Sequence, residues 1–192
     1  MSLPSRRSCI EKLHEVFHTG IAVCCMEETT EHWAELSGKP ASFYVQDSMG
    51  MVIPAALGIA LSRPKDQGVA MEGDGGSLMN LGALVTAAIQ SPKNLMIVIF
   101  NNDVYQSSGG QPLAKPSLSY EELARGAGLE LTATVDTVEL FQEKTTLFLS
   151  QDRLSFICAT IGPARQKPNA PYTLRPPEVR LQLEEWCREN PE

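Results

Sequence analysis

The chain has 192 residues, 43% hydrophobic and 20% charged, with a net charge of −7 and no basic block. This balance is that of a globular protein rather than a disordered or fibrous one, and it argues against nucleic acid or an anionic membrane as partner. A chain of this length buries about 70% of its unfolded surface, so one domain folds without a disulfide or metal staple.

In chain order, the apolar spacing of Cys9, Ile10, Leu13, Val16 and Phe17 predicts an amphipathic helix that stops near Gly20. "IAVCCM" is a short continuous apolar run and predicts a strand buried on both faces. A short helix over "TTEHWAELSG" and a strand over "SFYV" follow, and then a helix beginning near Ser48 with Pro54 in its first turns. "GVAMEG" is a strand, "SLMNLGALVTAAIQS" one helix and "NLMIVIFN" a strand. Beyond a Gly/Ser/Pro-rich loop come helix "YEELARGAG", strand "LELTATV", helix "TVELFQEKTTLFLSQ" and strand "LSFICATI". Helix and strand thus alternate about six times, which predicts an α/β three-layer sandwich around a mostly parallel sheet of about six strands. The expected division is a main domain over 1–161 and an arm over 162–192, proline-rich at first and ending in a helix.

The five cysteines (Cys9, Cys24, Cys25, Cys158, Cys187) have no CxxC spacing, and no apolar run approaches the ~18 residues of a membrane span. Without a signal peptide, a reduced cytoplasmic protein is expected. His14 and His18 are spaced as a zinc pair on a helix but lack a fixed third ligand, which favours an ordinary amphipathic helix.

Ligands of an open parallel sheet bind beyond the C-terminal ends of its strands. Gly73-Asp74-Gly75-Gly76 and Asn101-Asn102-Asp103 both fall at such ends. A helix opening near Gly76 offers unpaired N–H groups to a phosphate, and glycine lets the backbone come close. A carboxylate beside phosphate is repelled unless a cation lies between them. Magnesium suits that place, because it takes a carboxylate, an amide oxygen and a carbonyl together with phosphate oxygens. Each element alone reads as a tight turn or a strand end, and neither GxGxxG nor GxxxxGK[ST] occurs.

Together, GDG followed after 25 residues by NN resembles the signature of thiamine-diphosphate-dependent enzymes. "QDSMGMVIPAALGIALSRP", the GDGG segment and "YQSSGGQP" look most like sulfopyruvate and phosphonopyruvate decarboxylases, over about residues 21–161. The resemblance implies that Asp74, Asn102 and the Val104 carbonyl hold Mg²⁺, and that Gly73, Gly75, Gly76 and Ser77 approach the diphosphate. Relatives often have serine where this chain has Gly76. Thr30 falls near a family threonine that binds phosphate. Ser48, Met49 and Gly50 resemble the segment gripping the aminopyrimidine, with Met49 beneath the bent cofactor. Asp47 stands where relatives usually have glycine. Tyr105 borders the site, and Ser107, Ser108 and Gln111 are candidates for meeting an anionic substrate tail.

The implied chemistry is loss of CO₂ from a 2-oxo acid, with the thiazolium as electron sink. The family's activating glutamate belongs to a pyrimidine-binding domain that this sequence does not show. The resemblance therefore implies a separate pyrimidine-binding α-type subunit, a small 2-oxo acid substrate and an oligomer, with the catalytic glutamate outside this chain. The alternatives are another thiamine-diphosphate carboligase, a 2-oxo acid oxidoreductase β subunit, or a non-enzymatic thiamine diphosphate-binding protein.

Overall fold

The computed structural model describes residues 2–36, 38–39, 41–113, 118–170 and 172–191. Ser37, at the end of the predicted "TTEHWAELSG" helix, and residues 114–117 of the Gly/Ser/Pro-rich loop lie outside these.

Six parallel strands form the central sheet: β1 (Ile21–Cys25), β2 (Ala41–Val45), β3 (Gly68–Gly73), β4 (Leu95–Asn101), β7 (Leu131–Val135) and β8 (Ser155–Thr160). Their order is β2-β1-β3-β4-β8-β7, and every neighbouring pair is parallel. The remaining strands, β5 (Val104–Tyr105) and β6 (Gln111–Pro112), pair as a small antiparallel hairpin that the sequence reading left as loop. The helices are α1 (Arg6–His14), α2 (Glu28–Glu35), α3 (Val52–Ser62), α4 (Asp74–Met79), α5 (Gly82–Gln90), α6 (Tyr120–Ala127), α7 (Val138–Leu149) and α8 (Pro176–Glu189).

All seven residues of β4 are buried. Its alternation feeds two cores. Leu95, Ile97 and Ile99 join α3, α5 and α6 on one face, while Met96, Val98 and Phe100 join α1 and α7 on the other. On β3, Ala70 faces the α3 side and Val69 and Met71 the α1 side, so the same period turns Glu72 toward α3.

Two expected helices begin or run differently. Gly50 has φ +78 and Met51 φ −102, ψ −2, so α3 opens at Val52, four residues after Ser48. This places Pro54 in the first turn, where its missing N–H costs nothing. The single helix expected after GDGG is two, because Asn80 leaves the helical region (φ −145, ψ 56) and its side-chain amide donates to the Gly50 carbonyl at 3.0 Å. The first helix also stops earlier than Gly20, at His14.

From Gly162 the chain runs back along α2, where Glu35 accepts from the Ala170 N–H at 2.8 Å. It then crosses β2, with Tyr172 edge-on to Tyr44 at 5.0 Å and the Gln46 amide donating to the Leu174 carbonyl at 3.0 Å. The C-terminal α8 packs against β2, the edge strand, and covers an edge that would otherwise invite pairing. None of the described helices is long and apolar enough to cross a membrane.

Candidate functional site

The chain passes from β1 to β2 on one side and returns to β3 on the other, so the sheet order switches between β1 and β3. At such a point the loops after adjacent strands part and leave a crevice. A cleft of about 60 Å³ lies there, lined by Cys25, Met26, Glu27 and Glu28 after β1 and by Glu72 to Gly76 at the end of β3. Ser48 and Met49 close a third side; Val104 to Ser107 and Arg6 close the rest.

Asp74 is the fixed point. It is only 3% exposed and stands in the first turn of α4, where a negative charge suits the helix end. One oxygen, Oδ1, accepts from the Gly75 N–H at 2.8 Å; the other, Oδ2, accepts from the N–H groups of Asn102 (2.9 Å) and Asp103 (2.7 Å). The carboxylate thus ties the β3 turn to the β4 turn, 28 residues apart. Burial pushes its pKa up, against the pull of these three amides. Oδ1, with one hydrogen bond, keeps acceptor capacity for a cation.

The Asn102 side chain is oriented from behind. Its Nδ2 donates to Gln106 Oε1 at 2.9 Å, which fixes the amide orientation, and its Oδ1 accepts from the Val104 N–H at 3.3 Å. The same Gln106 oxygen accepts from Arg6 Nη2 at 3.3 Å. Arg6 also donates to Thr29 Oγ1 at 2.8 Å, lies 3.8 Å from the Glu28 carboxylate and stacks over Phe100 at 5.3 Å. A carboxylate, an oriented amide oxygen and a nearby backbone carbonyl are a hard-oxygen set of the kind magnesium takes. Ser77 Oγ, buried and without a hydrogen-bond partner, adds an unsatisfied polar atom behind the turn. The residues present fit a metal-bound diphosphate.

The glycines are required by contact. A Cβ on Gly75 would come 2.5 Å from the Tyr105 ring. One on Gly76 would fall on Glu72 Oε1 and 2.8 Å from its Cδ. Asp47 takes φ +55, a conformation glycine adopts freely and aspartate tolerates. The resemblance to a family that has glycine there therefore has a backbone reason.

Of the expected site residues, Ser48, Met49, Gly73, Asp74, Gly75, Gly76, Val104 and Tyr105 line the cleft. Gly50 and Asn102 stand behind it as supports, and Ser77 is buried behind the turn. Thr30 spends its hydroxyl on the Cys25 carbonyl at 2.7 Å, so it braces the loop rather than facing the cleft. In the β5–β6 loop Ser107 reaches the cleft, but Ser108 and Gln111 are exposed and bond to each other at 3.3 Å. Among the described residues no group of three or more His, Cys, Asp or Glu is placed to hold a metal, so the His14–His18 pair gains no third ligand. His14 instead packs edge-on against Trp33 at 6.0 Å.

The sequence reading missed Arg6, Glu28, Glu72 and Gln106. Only Glu72 carried a local signal: a charge inside the otherwise apolar strand "GVAMEG" demands a partner or a role. Cys25 also lines the cleft, and burial pushes its thiol up to about 12, which favours the protonated form.

With this geometry in view, comparison with known proteins is informative. The family model of the thiamine pyrophosphate enzyme C-terminal TPP-binding domain matches residues 23–159. The chain is 32% identical to the sulfopyruvate decarboxylase subunit beta of Methanocaldococcus jannaschii, over 85% of this chain and 87% of that one. It is 27% identical to the phosphonopyruvate decarboxylase of Streptomyces hygroscopicus, over 97% of this chain but 46% of that one. Among solved structures, a thiamine diphosphate-dependent 4-hydroxybenzoylformate decarboxylase from Rhodococcus jostii RHA1 shares the fold with a TM-score of 0.70 at 23% identity, over 84% of this chain. The chain spans about a third of that neighbour's length, 33%. Fold, cleft and sequence agree: this chain belongs to the thiamine pyrophosphate enzyme family, as a member of its C-terminal TPP-binding domain.

Proposed function

We propose that this chain is the thiamine diphosphate- and Mg²⁺-binding subunit of a cytoplasmic 2-oxo acid decarboxylase of the sulfopyruvate or phosphonopyruvate type. Residues 1–161 form the cofactor-binding unit and 162–192 the arm. A separate pyrimidine-binding subunit completes it. The observation that carries the reading is the Asp74 carboxylate, buried at the strand switch point and holding the two turns together.

Asp74, Asn102 and the Val104 carbonyl would hold the metal, and the amides of the Gly75–Gly76 turn the diphosphate. Ser48 and Met49 would face the pyrimidine. Bound thiamine diphosphate supplies the electron sink for decarboxylation. This chain binds, orients and shields; the base for the pyrimidine would come from the partner subunit. Glu28 and Glu72 are buried, and burial raises both carboxyl pKa values.

A partner is also supported by the surface beside the cleft. From Ser48 to Ser62, and from Gly75 to Pro92, there is no charged residue. The exposed part of this stretch includes Met51, Met79, Val85 and Ile89, the last 74% exposed. An uncharged apolar face of this kind marks a protein contact. It begins at Met51, two residues beyond the cleft-lining Met49. The names of relatives as beta subunits are consistent with this.

The test is affinity capture of the full chain from its source, identification of a stoichiometric partner by mass, and reconstitution of the pair from pure components. CO₂ release from sulfopyruvate and phosphonopyruvate is then measured. The pair is expected to turn over one of them and the single chain neither. Robust turnover by the chain alone would refute the split arrangement. A pair that binds thiamine diphosphate yet releases no CO₂ from either acid would refute the decarboxylase reading.

A further inference from the structure

Glu72 is 2% exposed, is the penultimate residue of β3, two positions before Asp74, and lines the cleft. Its Oε1 accepts from the Gly73 N–H at 3.0 Å, while Oε2 is buried without a hydrogen-bond partner among the described residues. The strand period turns it toward α3, whose first N–H groups have no side-chain cap. The amides of Val52 and Gly50 act on its carboxylate there.

The two walls press together at this point. Asn80 donates to the Gly50 carbonyl, and a Cβ on Gly50 would come 3.1 Å from the Gly76 carbonyl. The Glu72 carboxyl fills the space beneath Gly76, where an added Cβ would lie 2.8 Å from Glu72 Cδ and 3.3 Å from Oε2. Because its Oε1 holds the Gly73 N–H, the carboxyl cannot swing aside without giving up that bond. One side chain thus occupies the volume that any residue larger than glycine would need at position 76.

We propose that Glu72 is a positioning residue that sets the separation between the Ser48–Gly50 and Gly73–Gly76 walls, and that position 76 is glycine because Glu72 fills its side-chain space. The proposal rests on the function proposed above. Under it, the Ser48–Gly50 wall receives one end of the cofactor and the Gly73–Gly76 wall the other. Glu72 then matters for a ligand that spans both walls and little for one that touches a single wall.

The experiment uses the full chain with Mg²⁺, titrated calorimetrically with thiamine diphosphate and, separately, with inorganic pyrophosphate. Glu72→Ala is expected to weaken thiamine diphosphate about tenfold and pyrophosphate less than about twofold, the scale of lost outer-layer support at metal sites. Gly76→Ala should weaken both about tenfold and lower Tm. Adding Glu72→Asp, shorter by one methylene, should restore both to within about threefold of the parent, the mark of coupled neighbours. Equal weakening of both probes in Glu72→Ala overturns the positioning role. So does a Gly76→Ala chain that melts and binds like the parent, or one that Glu72→Asp fails to relieve. Failure of the parent chain to bind either probe, both alone and with its captured partner, instead overturns the cofactor reading itself. The Tm arm decides the Glu72–Gly76 packing even then.

Discussion

Two hollows of this protein lie at opposite ends of the same strands. The one at the C-terminal ends measures about 60 Å³; the one at the N-terminal ends of β1, β2 and β3, walled by α2, α8 and the arm, measures about 860 Å³. The larger is chemically quieter. Several of its charges are committed: Glu35 to Arg7 at 3.4 Å, Asp66 to Arg63, and Lys39 to the carbonyls of Ala34 and Leu36 at 3.3 Å, although Glu31 Oε2 is buried without a hydrogen-bond partner among the described residues. The smaller holds buried carboxylates with unused acceptors, close-packed glycines and helix-start amides. Volume alone therefore points to the wrong end. Convergence of underused polar groups at a strand switch point marks the candidate site, and its small volume accords with the proposal that a partner subunit completes it.

The sharpest way to break this contrast is Asp74→Asn. The change keeps the shape but turns an N–H toward donors and removes the charge. Mg²⁺-dependent thiamine diphosphate binding by calorimetry should weaken by about 100-fold or more. Stability should also fall by about 2–4 kcal/mol, because three amides lose a charged acceptor. Unchanged affinity would dissolve the difference between the two ends.

Next in size is Arg6→Met, which preserves much of the packing over Phe100 and removes the donor to Gln106. Freed of that bond, Gln106 holds the Asn102 amide less firmly. Mg²⁺ affinity should drop about tenfold, in line with other groups that orient metal ligands. Gln106→Leu should reproduce the loss and, combined with Arg6→Met, add little to it. Full additivity would show that the two act separately.

Away from the cleft, effects should be on stability and pH rather than binding. His32 is 2% exposed, with no hydrogen-bond partner on either ring nitrogen among the described residues. Burial, helped by Arg7, lowers its pKa below the ordinary 6.5. A group with a lowered folded-state pKa stabilises the fold above its unfolded value and loses that contribution as pH falls. Tm should therefore decline as pH drops below about 6.5, and His32→Gln should flatten that decline. An equally steep acid limb in the variant would clear His32 of responsibility.

The smallest effect is expected for Lys65→Ala on the rim of the large groove. Tm-derived stability should change by less than about 0.5 kcal/mol, with cofactor binding untouched. A clear loss of binding there would mean the groove communicates with the cleft.

Much of this protein was legible before any coordinates. Continuous apolar runs such as "LMIVIF" named the buried strands, and their alternation with helices required a parallel sheet. Asp74 and Asn102 could be singled out because both follow strands directly and so must share one end of the sheet. The Asn80 break was not legible, since its cause is a hydrogen bond to Gly50, 30 residues earlier. Nor was Arg6. It reaches the cleft only because α1 docks against α2 and α7 beneath the sheet, and no local period records that.

What the sequence alone determined, then, is most of the main elements, the order of the chemistry along the chain and the candidate oxygen ligands at strand ends. These follow from residue type and a period of 2 or 3.6, which are local quantities. The tertiary structure decided which side chains support those ligands and where glycine is obligatory. It also decided that the cleft lies beside an uncharged face. Each of these depends on contacts between segments distant in the chain, and such contacts exist only once the layers have packed.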